Sequence, residues 1–188
     1  MKAILTSSII LLAETTDPHR YVFGAYDNQG KATGFVKLPE DHKMFIDTLV
    51  GEQTVMGAKT LDATPETFPD AGRICITHHP EKIRKKGIPA QSIEEGIQIA
   101  KQRAKEKNKN KIYVIGGAHI IAQCLEKNIL DEIILTIVSD YYEEADRLVY
   151  LDFDIEKWDI IQDSGELISS ESKPEKLKYR FYTLRKKQ

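Results

Sequence analysis

Lys111-Ile112-Tyr113-Val114-Ile115-Gly116-Gly117-Ala118-His119-Ile120-Ile121 decides how this chain folds. Residues 111–115 form a nearly continuous apolar run, as expected of a strand buried on both faces. Two glycines follow, and a helical apolar pattern then runs from Ala118 to Lys127. A strand that turns through Gly-Gly into a helix is a junction of an α/β sheet. Glycines there let backbone come close to a ligand, and the free N–H groups of the helix start favour a phosphate. A tight turn with no ligand uses the same residues, so the pair alone leaves both readings open.

Two further segments repeat the logic. Val55-Met56-Gly57-Ala58-Lys59-Thr60 is a strand end, a glycine and a helix start that brings a basic group and a hydroxyl. Ile76-Thr77-His78-His79-Pro80 is a third strand end, with a hydroxyl and two imidazoles that by themselves read as exposed loop residues. Such junctions side by side put helix N-termini at the carboxyl edge of a parallel sheet, where a dinucleotide spans them.

Working outward, strands are expected at residues 3–12, 20–26, 53–56, 73–77, 111–115, 132–138, 158–161, 167–171 and 178–184. Helices are expected at 39–49, 59–63, 93–108 and 118–127. Strand–helix alternation in the middle implies parallel pairing through crossovers. The end differs: residues 167–184 read as strand, the turn residues Ser172, Lys173 and Pro174, then a strand of alternating polarity. The expected fold class is therefore α/β, a single domain with a mixed, mostly parallel sheet flanked by helices and an antiparallel C-terminal hairpin at the sheet edge.

A length of 188 residues is enough for one domain with a proper core and short for two. The formal charge of -2 supplies no global basic field, so neither nucleic acid nor an anionic membrane is expected as a partner. Cys75 and Cys124 each sit in an apolar run and read as buried free thiols. The histidines and cysteines show no metal-ligand spacing, and no metal is expected. The stretch after Lys2 resembles a secretory apolar segment, but Thr6, Ser7 and Ser8 interrupt it and Glu14 follows without a cleavage site. With no other run near the ~20 apolar residues of a membrane span, a cytoplasmic location is expected. The charged run of residues 101–111 reads as a solvated helix end. No feature predicts an oligomer.

The last constellation is Leu38-Pro39-Glu40-Asp41-His42-Lys43-Met44-Phe45. Pro39 suits a first helical turn, and Asp41 and Phe45, four apart, share a helix face. An acid among apolar neighbours can bind and protonate a nitrogen heterocycle. Acids are also common in first turns because they complement the helix dipole.

These pieces, in this order and spacing, resemble dihydrofolate reductase: Leu38-Pro39-Glu40-Asp41-x-x-x-Phe45, Val55-Met56-Gly57-x-Lys59-Thr60, Ile76-Thr77, Tyr113-Val114-Ile115-Gly116-Gly117, Leu135-Thr136 and a last strand at Lys178-Tyr179-Arg180-Phe181. The resemblance covers residues 21–185, with the residues before Tyr21 as an extra strand or extension. It implies NADPH as cofactor and a pterin-like, folate-type substrate. By it, Asp41 holds the amino group and adjacent ring nitrogen of the pterin and supports ring protonation, Thr136 hydrogen-bonds Asp41, and Phe45 packs on the ring. Val36, Leu38, Thr60 and Ile115 complete the substrate positions. Gly57, Ala58, Lys59, Thr60, Ile76, Thr77, His78, Ile115, Gly116, Gly117, Ala118, His119, Ile120 and Ile121 take the cofactor positions.

The chain departs from the family pattern at several points. Val36 stands where the family usually has Trp, Ala58 where it has Arg after Met-Gly, Ala71 where it has the Arg that meets the folate tail, and Ile121 where it has Tyr. The loop between Gly30 and Phe35 is shorter than the family's mobile loop. Three readings follow: NADPH-dependent reduction of dihydrofolate, which Asp41 favours; a same-fold NADPH reductase of another heterocycle, such as a riboflavin-pathway pyrimidine reductase, which Ala71 favours; and a nucleotide-binding member without turnover.

Overall fold

The apolar runs pair much as their periodicity predicts. The computed structural model describes residues 3–187 apart from 31, 34–35, 84–85, 140–146 and 174, so Pro174 and residues 31, 34 and 35 of the Gly30–Phe35 loop lie outside the described residues. In chain order the elements are β1 (Leu5–Ala13), β2 (Arg20–Tyr26), β3 (Ala32–Thr33), α1 (Pro39–Leu49), β4 (Gln53–Gly57), α2 (Ala58–Ala63), β5 (Gly72–Ile76), β6 (Ile88–Ala90), α3 (Ile93–Glu106), β7 (Lys111–Gly116), α4 (Ala118–Glu126), β8 (Glu132–Ser139), β9 (Leu148–Asp152), β10 (Trp158–Asp163), β11 (Leu167–Ser169) and β12 (Leu177–Lys186). Single 3-10 turns occupy Pro80–Lys82 and Ile155–Lys157. By its contacts the chain divides into two units, Met1–Ser8 with Phe45–Asp131 and Ile9–Met44 with Glu132–Gln188.

The first unit is parallel throughout. The first half of β1 pairs with β7, β7 with β4, β4 with β5 and β5 with β6. Such strands need cover on both faces, and α3 supplies part of it. Gly96 of α3 lets the helix approach closely: a Cβ there would run into the Ile76 side chain and touch those of Ile74 and Val55 at 3.4 Å. Ser92 caps α3, its Oγ accepting from the Glu95 N–H at 3.1 Å, while Glu95 reaches back to the Gln91 N–H at 2.7 Å. A cap of this kind is worth about 1 kcal/mol. Met56, Leu61 and Cys75 form a buried cluster backed by Ile83 and Ile115.

In the second unit the pairings made by β12 and by β2 are antiparallel. β12 pairs with β8 on one side, with Thr136 opposite Phe181, and with β10 and β11 on the other. β2 pairs with β9, with β3 and with the end of β1. Ala13, Val22, Ala25, Leu38, Val138, Leu177 and Tyr179 make the core.

Two expectations are corrected. Antiparallel pairing extends well past the C-terminal hairpin, because β2, β3, β9 and β10 all pair antiparallel. The hairpin itself forms, Ser169 opposite Leu177, but β12 is interior: its backbone pairs with β8 on one side, and β10 and β11 share its other side. The strand expected at residues 3–12 forms as β1, with β7 and β8 as its neighbours. Its hydroxylic residues Thr6, Ser7 and Ser8 are all buried, and the Ser8 Oγ–H donates to the Val114 carbonyl at 2.7 Å. β3, β6 and β9 have no counterpart among the expected strands, being short or, for β9, lacking clean alternation.

Cys75 and Cys124 are buried and free, as expected. Burial pushes their thiols up to about 11 and about 12, far from the thiolate form. Among the described residues no helix is long and apolar enough to cross a membrane.

Candidate active site

In the second unit, Pro39 opens α1 with φ already set for a helix, and Glu40 and Asp41 complete its first turn. The two acids point to different hydroxyls. The Thr136 Oγ1–H, fully buried on β8, donates to Asp41 Oδ1 at 2.6 Å. The Ser169 Oγ–H, fully buried on β11, donates to Glu40 Oε2 at 2.9 Å. Burial pushes the Asp41 carboxyl above the ordinary carboxylate range, while the Thr136 hydrogen bond and the nearby His42 pull the other way. Loss of hydration is the largest of these, so Asp41 keeps a proton to higher pH than a solvated aspartate. Leu38 is buried in the core beside this turn and Val36 packs on the same cluster, so Leu38 anchors the entry to α1.

In the first unit, the strand–glycine–helix junctions adjoin one another. Gly57 caps α2 and Gly117 caps α4, neither with a side-chain cap. The Gly116–Gly117 peptide is cis, and Gly116 has φ 128°, a backbone region that favours glycine. A Cβ on Gly117 would lie 3.3 Å from Thr60 Oγ1, and one on Gly57 3.4 Å from Ile120 Cγ1 and 3.9 Å from the Gly117 nitrogen. The Thr60 and Ile120 side chains thus pack directly on the two glycines, and the two junctions form one close-packed patch. Val55 pairs with Val114 but Met56 with Gly116, so Ile115 is skipped in the β4–β7 register and packs instead against the Met56 cluster. A bulge of this kind re-aims a strand end.

The third strand end joins the patch through Ile76, which is paired with Gly57. Thr77 Oγ1 accepts from the His79 N–H at 3.0 Å. Ala58, Lys59, His78 and His119 are exposed, and Ala118 is half-buried at the start of α4. His119 is engaged with Gln123 at 2.7 Å. Ile121 does not fit the cofactor position expected of its side chain: it is fully buried, because α4 turns its apolar face to the sheet. In the same unit, the Phe45 and Phe68 rings lie 5.6 Å apart.

A family model described as dihydrofolate reductase matches residues 30–186. The chain belongs to the dihydrofolate reductase family. Dihydrofolate reductase HdrB of Haloferax volcanii is 27% identical over 125 residues, a stretch that covers 64% of this chain and 62% of that protein. A solved dihydrofolate reductase from Enterococcus faecalis, complexed with NADP(H) and RAB-propyl, superposes with a TM-score of 0.71 at 16% identity, covering 98% of this chain and 97% of that one. The chain therefore has the dihydrofolate reductase fold, a mixed sheet flanked by helices.

Seen as a dihydrofolate reductase, the chain departs most clearly around Ala71. The nearest basic group in sequence, Arg73, is spent internally. Its side chain is 9% exposed and ion-paired with the 3%-exposed Asp70 at 3.0 Å, and it donates to the Phe68 carbonyl at 3.2 Å. Asp70 in turn accepts from Thr54 Oγ1 at 2.6 Å. Sequence reasoning missed the Glu40–Ser169 pair, whose partners stand 129 residues apart with no motif joining them.

Proposed function

We propose that this chain reduces 7,8-dihydrofolate to 5,6,7,8-tetrahydrofolate with NADPH. The observation that carries the reading is the buried Asp41 carboxyl held at 2.6 Å by the buried hydroxyl of Thr136. A carboxyl so placed can accept hydrogen bonds from an amino group and its neighbouring ring nitrogen, and it holds a proton to higher pH than a solvated aspartate.

The residues at the glycine junctions fit the cofactor. Gly57 and Gly117 add no side chains of their own at the two junctions, and the start of α4 offers N–H groups for a pyrophosphate. Lys59, Thr60, Thr77 and His78 would grip phosphate oxygens, Lys59 and His78 the ribose phosphate that separates NADPH from NADH. When bound, NADPH supplies the hydride. Phe45 packs on the substrate ring, and Asp41 anchors the ring and supports delivery of a proton to the nitrogen beside the carbon that receives the hydride. One hydride and one proton enter, and the ring gains two hydrogens. Among the described residues, Ala71 and the enclosed Arg73 favour a second reading, a same-fold reductase whose heterocycle carries no tail carboxylate. The buried free thiols accord with a cytoplasmic setting.

Loss of nicotinamide absorbance with dihydrofolate, and its competition by a methotrexate-like antifolate, tests the proposal. Oxidation of NADPH that dihydrofolate does not stimulate, with NADPH still bound, would leave the second reading; no NADPH binding at all would defeat both.

A further inference from the structure

Two buried hydroxyls act on the first turn of α1. Thr136 on β8 holds Asp41, and Ser169 on β11 holds Glu40. Both strands pair with β12, Thr136 opposite Phe181 and Ser169 opposite Leu177. The chain after Ser169 is itself tied down. Ser172 Oγ–H donates to the Ser169 carbonyl at 3.2 Å, the Leu177 N–H donates to Ser172 Oγ at 3.2 Å, and the Lys173 N–H donates to the Lys37 carbonyl at 3.0 Å, two residues before Pro39. Helix ends fray unless held. The entry to α1 is anchored by the buried Leu38 and by the His42 N–H donating to the Leu38 carbonyl at 3.1 Å, and the Ser169 bond adds a second side-chain tie on the acids themselves, from a strand other than the one that holds Asp41.

From this geometry we infer that Glu40 and Ser169 are positioning residues for Asp41: the Ser169–Glu40 hydrogen bond locks the first turn of α1 in the rotation that keeps the Asp41 carboxyl buried against Thr136. The inference rests on the function proposed above for its consequence in catalysis, but not for the coupling itself. His42 on α1 and Thr136 on β8 act on Asp41, and Tyr179 on β12 senses Glu40. Breaking the lock lets water reach Asp41. Because burial outweighs the Thr136 bond in setting its titration, the Asp41 proton is then lost at lower pH.

The test is a titration of the Asp41 carboxyl by carbon-13 NMR, its signal assigned by its loss in Asp41→Asn. It is run on wild type, Ser169→Ala, Glu40→Ala, the double variant and the conservative Glu40→Gln, which keeps an acceptor oxygen. Ser169→Ala and Glu40→Ala should each move the Asp41 titration down, and the double variant should go no further than either. Glu40→Gln should stay near wild type. The value of kcat/KM for dihydrofolate should fall roughly tenfold in each alanine variant, less than the ~10²-fold that a 1 Å misplacement can cost, with NADPH affinity unchanged. An unchanged Asp41 titration in Ser169→Ala, or additive effects in the double variant, would overturn the inference. If Ser169→Ala fails to fold, Glu40→Ala, changed at a half-buried position, carries the test. If the wild type does not reduce dihydrofolate, the titration still decides the coupling, so the two failures are distinguishable.

Discussion

Asp41 is under opposing demands. Burial raises its proton affinity, which suits proton delivery, but the same burial works against folding. Between the ordinary carboxylate value and the raised one, the native state binds a proton that the unfolded chain does not. Asp41 therefore contributes stability below that window and loses it as pH rises through it. Replacing Asp41 with Asn removes the titration and keeps a carbonyl oxygen to accept from Thr136. Asp41→Asn should lower turnover of dihydrofolate by about 10²–10⁴-fold, leave NADPH affinity unchanged, and melt no lower than wild type at neutral pH. Steady-state turnover, a fluorescence titration and a thermal melt check the three parts. A variant that keeps more than a tenth of wild-type turnover would reduce Asp41 to an ordinary first-turn acid. This residue was legible in the sequence through the Leu-Pro-Glu-Asp spacing. That Glu40 beside it has a structural partner was not, because a hydrogen bond between positions 129 apart leaves no local trace.

At the scale of elements, the strand–glycine–helix junction is the working unit. Gly117 has φ -80°, which any residue adopts, so a side chain there would not strain the backbone. Its Cβ would instead sit 3.3 Å from Thr60 Oγ1, over backbone proposed to lie under the pyrophosphate. Gly117→Ala should therefore weaken NADPH binding by roughly tenfold or more, the cost of one charge-assisted contact of about 1.5–3 kcal/mol, with little change in melting temperature. Isothermal titration beside a melt separates the two. A large drop in melting temperature with unchanged affinity would make the glycine a packing requirement only. The junctions were readable because glycine, strand and helix patterns are local. The enclosure of Ile121 was not, since which helix face meets the sheet depends on what covers it.

For the molecule as a whole, β1 and α1 each belong to both compact units, which supports the proposal that residues 1–188 unfold as one domain. A calorimetric scan should show a single transition. NADPH at a hundred times its dissociation constant should move it up by about 2.7 kcal/mol of stability. Two transitions, with only one responding to NADPH, would count against the single domain.

The sequence by itself determined what depends on short-range pattern: the alternation of strand and helix, the three glycine- or hydroxyl-bearing strand ends, the acid at position 41 and the resemblance they make together. Spacing along the chain carries these because helix and strand periodicities are local. Only the tertiary structure decided what depends on pairing between distant segments. It made residues 3–12 an interior strand, turned the expected edge hairpin into a strand with neighbours on both sides, and enclosed Arg73 against Asp70. It also joined Ser169 to Glu40. An apolar strand reads the same at an edge or in the middle of a sheet, and a charged side chain reads the same paired or open. What separates those states is the free energy of burying each group against neighbours brought from elsewhere in the chain.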